Sequence, residues 1–109
     1  MRKKNIENKP LNRLTDHLTH GNLWLYILAL AKKKEIYIYN LDKEIEKYFR
    51  FKPSRIMLYL VVYRLESFNM LKSHYIERRK YYFLTDYGKE TLNNGIKKLK
   101  KLANILEHI

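Results

Sequence analysis

Residues 54–84, SRIMLYLVVYRLESFNMLKSHYIERRKYYFL, change their apolar period partway along, and that change decides the fold. Up to Phe68 the apolar positions Leu58, Val61, Val62 and Leu65 recur at helical spacing, with Arg55, Tyr59, Tyr63 and Ser67 on another, aromatic and basic side. Pro53 disfavours helix in the residue before it and Ser54 is a good N-cap, so a helix starts here; Asn69 tolerates the left-handed conformation that ends helices. From Met70 the period falls to two: Leu71, Ser73 and Tyr75 alternate with Lys72, His74 and Ile76, then Tyr82 and Leu84 with Tyr81 and Phe83. Helix followed by hairpin is the reading. The tip, Glu77-Arg78-Arg79-Lys80, lacks the glycine or asparagine of a tight turn and predicts a loose loop of uncertain register.

Upstream, Leu41, Ile45, Tyr48 and Phe49, with charged residues between them, form a second amphipathic helix, preceded by the β-rich run Ile36-Tyr37-Ile38-Tyr39. Pro10 suits a first helical turn, and Leu11, Leu14, Leu18, Leu25 and Leu28 recur near helical spacing through residue 32. The slot at Gly21/Asn22 leaves one long helix or two. Residues 1–9, with Arg2, Lys3, Lys4 and Lys9 against Glu7, read as a basic flexible arm. Downstream, Thr85 or Asp86 caps a last helix, with Glu90 near its positive end. Along it Leu92, Ile96, Leu99, Leu102, Ala103, Leu106 and Ile109 step by three and four as an apolar seam, and four lysines lie off it. That seam has two candidate partners: the N-terminal helix bearing Leu11, Leu14 and Leu18, or the same helices of a second copy. A homodimer is the expectation. The division this implies is an arm over 1–9 and a single domain over 10–109, with a body over 10–84 and a dimerisation helix over 85–109.

The chain of 109 residues is one domain, and 23 Lys+Arg against 11 Asp+Glu give a formal charge of +12, a field that attracts polyanions. The absence of cysteine excludes disulfide scaffolds, thiolate catalysis and zinc fingers, and fits a cytoplasmic setting. The run Leu23 to Ala31 is nine residues and is followed by Lys32-Lys33-Lys34, too short to span a bilayer. No Gly-rich phosphate loop, His-Glu-x-x-His helix, nucleophile elbow or isolated carboxylate pair is present, so neither an enzyme nor a cofactor is expected. His17 and His20 beside Asp16 form at most a weak metal pair, and no metal is expected.

Helix, short strand, helix, tight restart, helix, hairpin and long helix make a mainly α (α+β) winged helix-turn-helix with a two-stranded wing. In such a fold the third helix enters the major groove and cations on the wing follow the backbone. The candidate DNA contacts are Lys52, Ser54, Arg55, Tyr59, Tyr63 and Arg64 on and before that helix, and Lys72, Arg78, Arg79 and Lys80 on the wing. Serine and arginine would meet phosphates or base edges, tyrosine hydroxyls phosphates.

Three stretches resemble the PadR-like winged-helix transcriptional regulators. Residues 21–45 follow that family's pattern through Gly21, Ile27-Leu28, Tyr39 and Leu41; residues 54–66 match its recognition-helix signature through Ser54, Leu58-Tyr59, Val62 and Arg64-Leu65-Glu66; residues 79–88 match its wing ending through Tyr82, Leu84, Thr85 and Gly88. The resemblance implies a sequence-specific regulator of double-stranded DNA, often a repressor, working as a homodimer joined through its terminal helices. It also implies that a small aromatic effector releases DNA in some members. Trp24, the single tryptophan, is either an ordinary core residue or part of such an effector pocket. Ile38, Ile56 and Asn69 stand where the family has glycine; Ile56 either changes the docking or adds an apolar contact, such as with a thymine methyl. Two rival functions remain. The apolar Ile56, Met57 and Leu60 fit a protein-interaction adaptor, and the charge alone fits a non-specific nucleic-acid-binding protein.

Overall fold

The structure, a computed structural model, describes residues 8–109. Of the expected basic arm, Arg2, Lys3, Lys4 and Glu7 lie outside the described residues, and Lys9 belongs instead to the first helix. That helix, α1 (Lys9–Leu18), is capped by Asn8, whose Oδ1 accepts from Leu11 N at 3.1 Å, one position earlier than Pro10 suggests.

The N-terminal stretch is two helices. Thr19 ends α1 by donating from Oγ1 to Thr15 O at 2.7 Å, a 3-10 turn covers His20–Asn22, and α2 (Leu23–Lys33) follows. Asn22 Nδ2 donating to His17 O at 2.6 Å and the Tyr26 hydroxyl donating to Leu18 O at 2.5 Å hold the corner. Side-chain caps therefore make the break, and Gly21 is not needed for it, since a Cβ there would meet nothing closer than 3.6 Å. The apolar run of α2 serves the core: Leu23, Ile27, Leu28, Leu30 and Ala31 are buried where α2 is packed by α3 (Leu41–Phe49), α4 (Arg55–Ser67) and α5 (Asp86–Glu107). No helix among the described residues is long and apolar enough to cross a membrane.

Of the β-rich run at 36–39 only β1 (Ile36–Tyr37) is strand; Ile38–Asn40 winds into a 3-10 turn that leads into α3. β2 (Leu71–Ile76) and β3 (Arg79–Leu84) form the hairpin, and β1 pairs with the free edge of β3 through Ile36 opposite Tyr82 and Tyr37 opposite Tyr81. The antiparallel sheet therefore has three strands, in the order β1-β3-β2: the expected two-stranded wing, with the short strand before α3 added to its edge. The tip is also tighter than expected. Ile76 faces Arg79 directly, so the loop is Glu77-Arg78 alone, with Glu77 at φ 58°, the left-handed conformation usually given to glycine.

The joint between α4 and the hairpin is built from backbone. Asn69, at φ 62°, donates to Glu66 O, and Met70 N donates to Leu65 O at 2.9 Å, a Schellman ending. Thr85, the N-cap of α5, grips this corner: its Oγ1 donates to Asn69 O at 2.6 Å and accepts from Gly88 N at 3.0 Å. Ile27, Leu28, Leu41, Ile45, Val62 and Leu71 form the centre of the core.

Candidate nucleic-acid interface

α3 and α4 are the helix-turn-helix pair. Arg50, left-handed at φ 65°, ends α3, and Phe51 turns inward between the rings of His20 and Tyr26, so the connection to α4 is fixed by aromatic packing. Ser54 Oγ then accepts from Met57 N at 3.3 Å to start α4. Arg55 Nε lies 3.4 Å from Asp42 Oδ2, which ties the first turn of α4 to the first turn of α3.

α4 buries Leu58, Val62 and Leu65 and turns its opposite side outward. That side carries the apolar Ile56, Met57 and Leu60, exposed along with Tyr63, Arg64 and Ser67. Tyr59, placed by spacing on the outer side, is half-buried, its ring edge-on to Tyr39 at 6.0 Å.

The wing sorts its cations by strand face. Leu71, Ser73 and Tyr75 pair across with Leu84, Tyr82 and Lys80 on the side facing α4, where Ser73 Oγ donates to Glu66 Oε2 at 2.5 Å. Lys80 is drawn into that contact, 3.9 Å from Glu66 Oε1 and 5.3 Å from the Tyr82 ring centre, and is not displayed at the tip. Burial pulls the Lys80 ammonium down, but the Tyr82 hydroxyl and Glu66 outweigh it and the net displacement is upward. Burial likewise pushes the Tyr82 hydroxyl up, against the lowering pull of Lys80. On the other face Arg79 lies back over the Tyr37 ring at 5.1 Å, while His74 Nε2 sits 2.9 Å from Glu35 Oε1 and edge-on to Phe83. Of the candidate DNA-contact cations, Lys52, Arg64, Lys72 and Arg78 are exposed and engaged in neither an ion pair nor a ring contact among the described residues, so on α4 and the wing they are the ones available to a polyanion. The positions of Lys80 and Arg79 were readable, since Lys80 shares its strand face with Tyr82 and Arg79 shares the other with Tyr81.

Trp24 stands between two clefts. Its indole donates to Asn22 Oδ1 at 3.2 Å and rests against Gly95 of α5, where a Cβ would come within 2.8 Å of Cη2. One cleft, about 400 Å³, runs between α2, α4 and α5 past Met57, Arg64 and Phe68; the other, about 320 Å³, lies beside Tyr87 and Lys98. His17 and His20 belong to no cluster of potential metal ligands among the described residues.

Beyond Gly95 every residue of α5 is exposed, Ile96, Leu99, Leu102, Ala103 and Leu106 included, and Leu11, Leu14 and Leu18 of α1 are exposed too. Leu92, expected on the partner seam, is 3% exposed and belongs to the chain's own core. The reason is position: only the first turns of α5 lie against α2, and Leu92 falls among them.

Against this geometry, the sequence profile of the Transcriptional regulator PadR-like family matches residues 27–94. An uncharacterised protein of Lysinibacillus sphaericus is 29% identical over 97 residues, 83% of this chain and 89% of that one. A transcriptional regulator from Clostridium thermocellum superposes with a TM-score of 0.74 at 25% identity, covering 80% of this chain and 88% of its own. A PadR family transcription regulator from Clostridium difficile does so at 0.71 and 27%, covering 79% and 95%. The winged-helix DNA-binding protein F93 from STIV, at 21% identity and a TM-score of 0.66 over 77% of this chain and 92% of its own, shares the fold. The matched residues run from α2 through the helix-turn-helix pair and the wing into α5, more than half of the sequence, and the chain belongs to the PadR-like family of transcriptional regulators.

Proposed function

We propose that this protein is a sequence-specific double-stranded-DNA-binding repressor of transcription that acts in the cytoplasm as a homodimer, with α4 in the major groove and the β2–β3 wing on the backbone. The observation that carries this reading is an outward α4 capped at both ends and tied to α3, accompanied by the exposed cations Lys52, Arg64, Lys72 and Arg78. The second copy covers the seam of Ile96, Leu99, Leu102, Ala103 and Leu106 together with Leu11, Leu14 and Leu18, residues that are otherwise left in water. An aromatic effector would enter the cleft beside Trp24, whose volume of about 400 Å³ is that of a small-molecule site and whose walls include α4 and α5.

Selection of bound sites from random duplexes tests the reading. The expected motif is an inverted repeat whose half-sites are centred about 34 Å apart, one turn of the duplex. Recovery of no motif would favour the non-specific binder, and absence of duplex binding the adaptor; a single unpaired half-site would remove the dimer. The dimer's affinity should fall about a thousandfold between about 50 and about 200 mM salt.

The wing cations should separate in the same assay. Arg78→Ala is expected to flatten the log–log salt slope by about one for each wing, two per dimer, whereas Lys80→Ala leaves it nearly unchanged because Lys80 is engaged with Glu66 and Tyr82. Equal slopes for the two variants would contradict this assignment.

A further inference from the structure

The base identity that α4 reads can be inferred from its outward face, an inference that rests on the DNA-binding reading above. Ile56 is 73% exposed, Tyr63 56% and Leu60 45%. At about 100° per residue these three and Ser67 fall within an arc of about 60°, opposite the buried Leu58, Val62 and Leu65. The residues that read bases through paired hydrogen bonds are scarce there. α4 contains no Asn, Gln or Lys; the Nε of Arg55 is committed to Asp42, and Arg64 stands in the third turn on the flank of the cleft lined by Met57 and Phe68. Recognition helices present their first turns to the base edges, and here those turns offer Ile56 and, one turn on, Leu60.

The only apolar group on the major-groove edges of the base pairs is the thymine 5-methyl. Nothing acidic stands in the first turn of α4 and Lys52 precedes it, so the surroundings of these side chains suit a phosphate-lined groove better than an acidic protein surface. We infer that Ile56 and Leu60 pack on thymine 5-methyl groups, that the half-sites carry T·A pairs under the first two turns of α4, and that Ile56 is a specificity-determining residue.

The test compares the full chain on the duplex recovered by selection and on a copy in which every thymine is replaced by uracil, which removes the 5-methyl and keeps every hydrogen-bonding group. One buried methyl corresponds to about fourfold in affinity, so one contact per subunit predicts about a tenfold loss or more on the uracil copy. Ile56→Ala, at a position exposed enough to leave the fold intact, should bind the thymine duplex more weakly and shrink the uracil penalty to the share that Leu60 keeps; Leu60→Ala should do the converse, and the double variant should lose at most twofold on uracil. Equal affinity of the unaltered protein for both duplexes overturns the inference and leaves the DNA-binding reading standing. An undiminished uracil penalty in Ile56→Ala and Leu60→Ala also overturns it, by assigning the effect to duplex shape. Failure to bind any duplex overturns the DNA-binding reading itself and assigns the apolar face to a protein.

Discussion

Gly88→Ala is expected to lower the melting temperature by about 10 °C or more, equivalent to about 3 kcal/mol, although alanine is the better helix former by about 1 kcal/mol. Gly88 lies in the first turn of α5, directly over the corner that joins α4 to the wing. A Cβ there would stand 2.2 Å from Met70 O and 2.7 Å from Leu84 Cδ1. The first obstacle is backbone, and that carbonyl is already held by Thr85 N at 3.2 Å, so it cannot step aside without releasing the cap of α5. Two other glycines serve as controls. A Cβ at Gly95 meets the Trp24 ring, which can tilt, and one at Gly21 meets only ordinary contact distances. Thermal unfolding followed by circular dichroism, at one protein concentration, should therefore rank Gly88→Ala well below Gly95→Ala, with Gly21→Ala near the unaltered protein. A Gly88→Ala variant as stable as its parent would show that α5 does not ride on the Met70 carbonyl.

Leu99→Asp combined with Leu106→Asp should convert a dimer into a folded monomer and weaken binding to the selected duplex by about a hundredfold or more. Both side chains are exposed in the single chain, so the charges meet no core of their own; in a dimer they would be buried opposite the partner's apolar seam. Two half-site contacts made by one dimer gain about a hundredfold or more over a single contact, and the monomer forgoes that gain. Sedimentation equilibrium reports the mass, circular dichroism the retained helix, and a titration of the palindromic duplex the affinity. If the unaltered protein already sediments as a monomer at micromolar concentration, or the double variant remains a dimer, the seam on α5 is not the clasp.

The order of elements was legible because its signals are local. Ser54, Asn69 and Thr85 mark helix ends through hydrogen bonds to residues three positions away, and the shift from a helical to a two-residue period after Phe68 needs no knowledge of distant residues. The wing cations divide by the same period, Lys80 with Tyr82 and Arg79 with Tyr81, which the composition of the tip had obscured. Other features depend on residues far apart in the chain. That β1 completes the sheet on β3 joins Ile36 to Tyr82, that Arg55 is restrained by Asp42 joins the starts of two separate helices, and that Leu92 is core while Ile96 is bare depends on where α5 leaves α2. Periodicity states which residues share a face; burial of that face, and therefore the exposure of Ile56 and Leu60 to whatever α4 meets, follows from which elements come to lie against it in space.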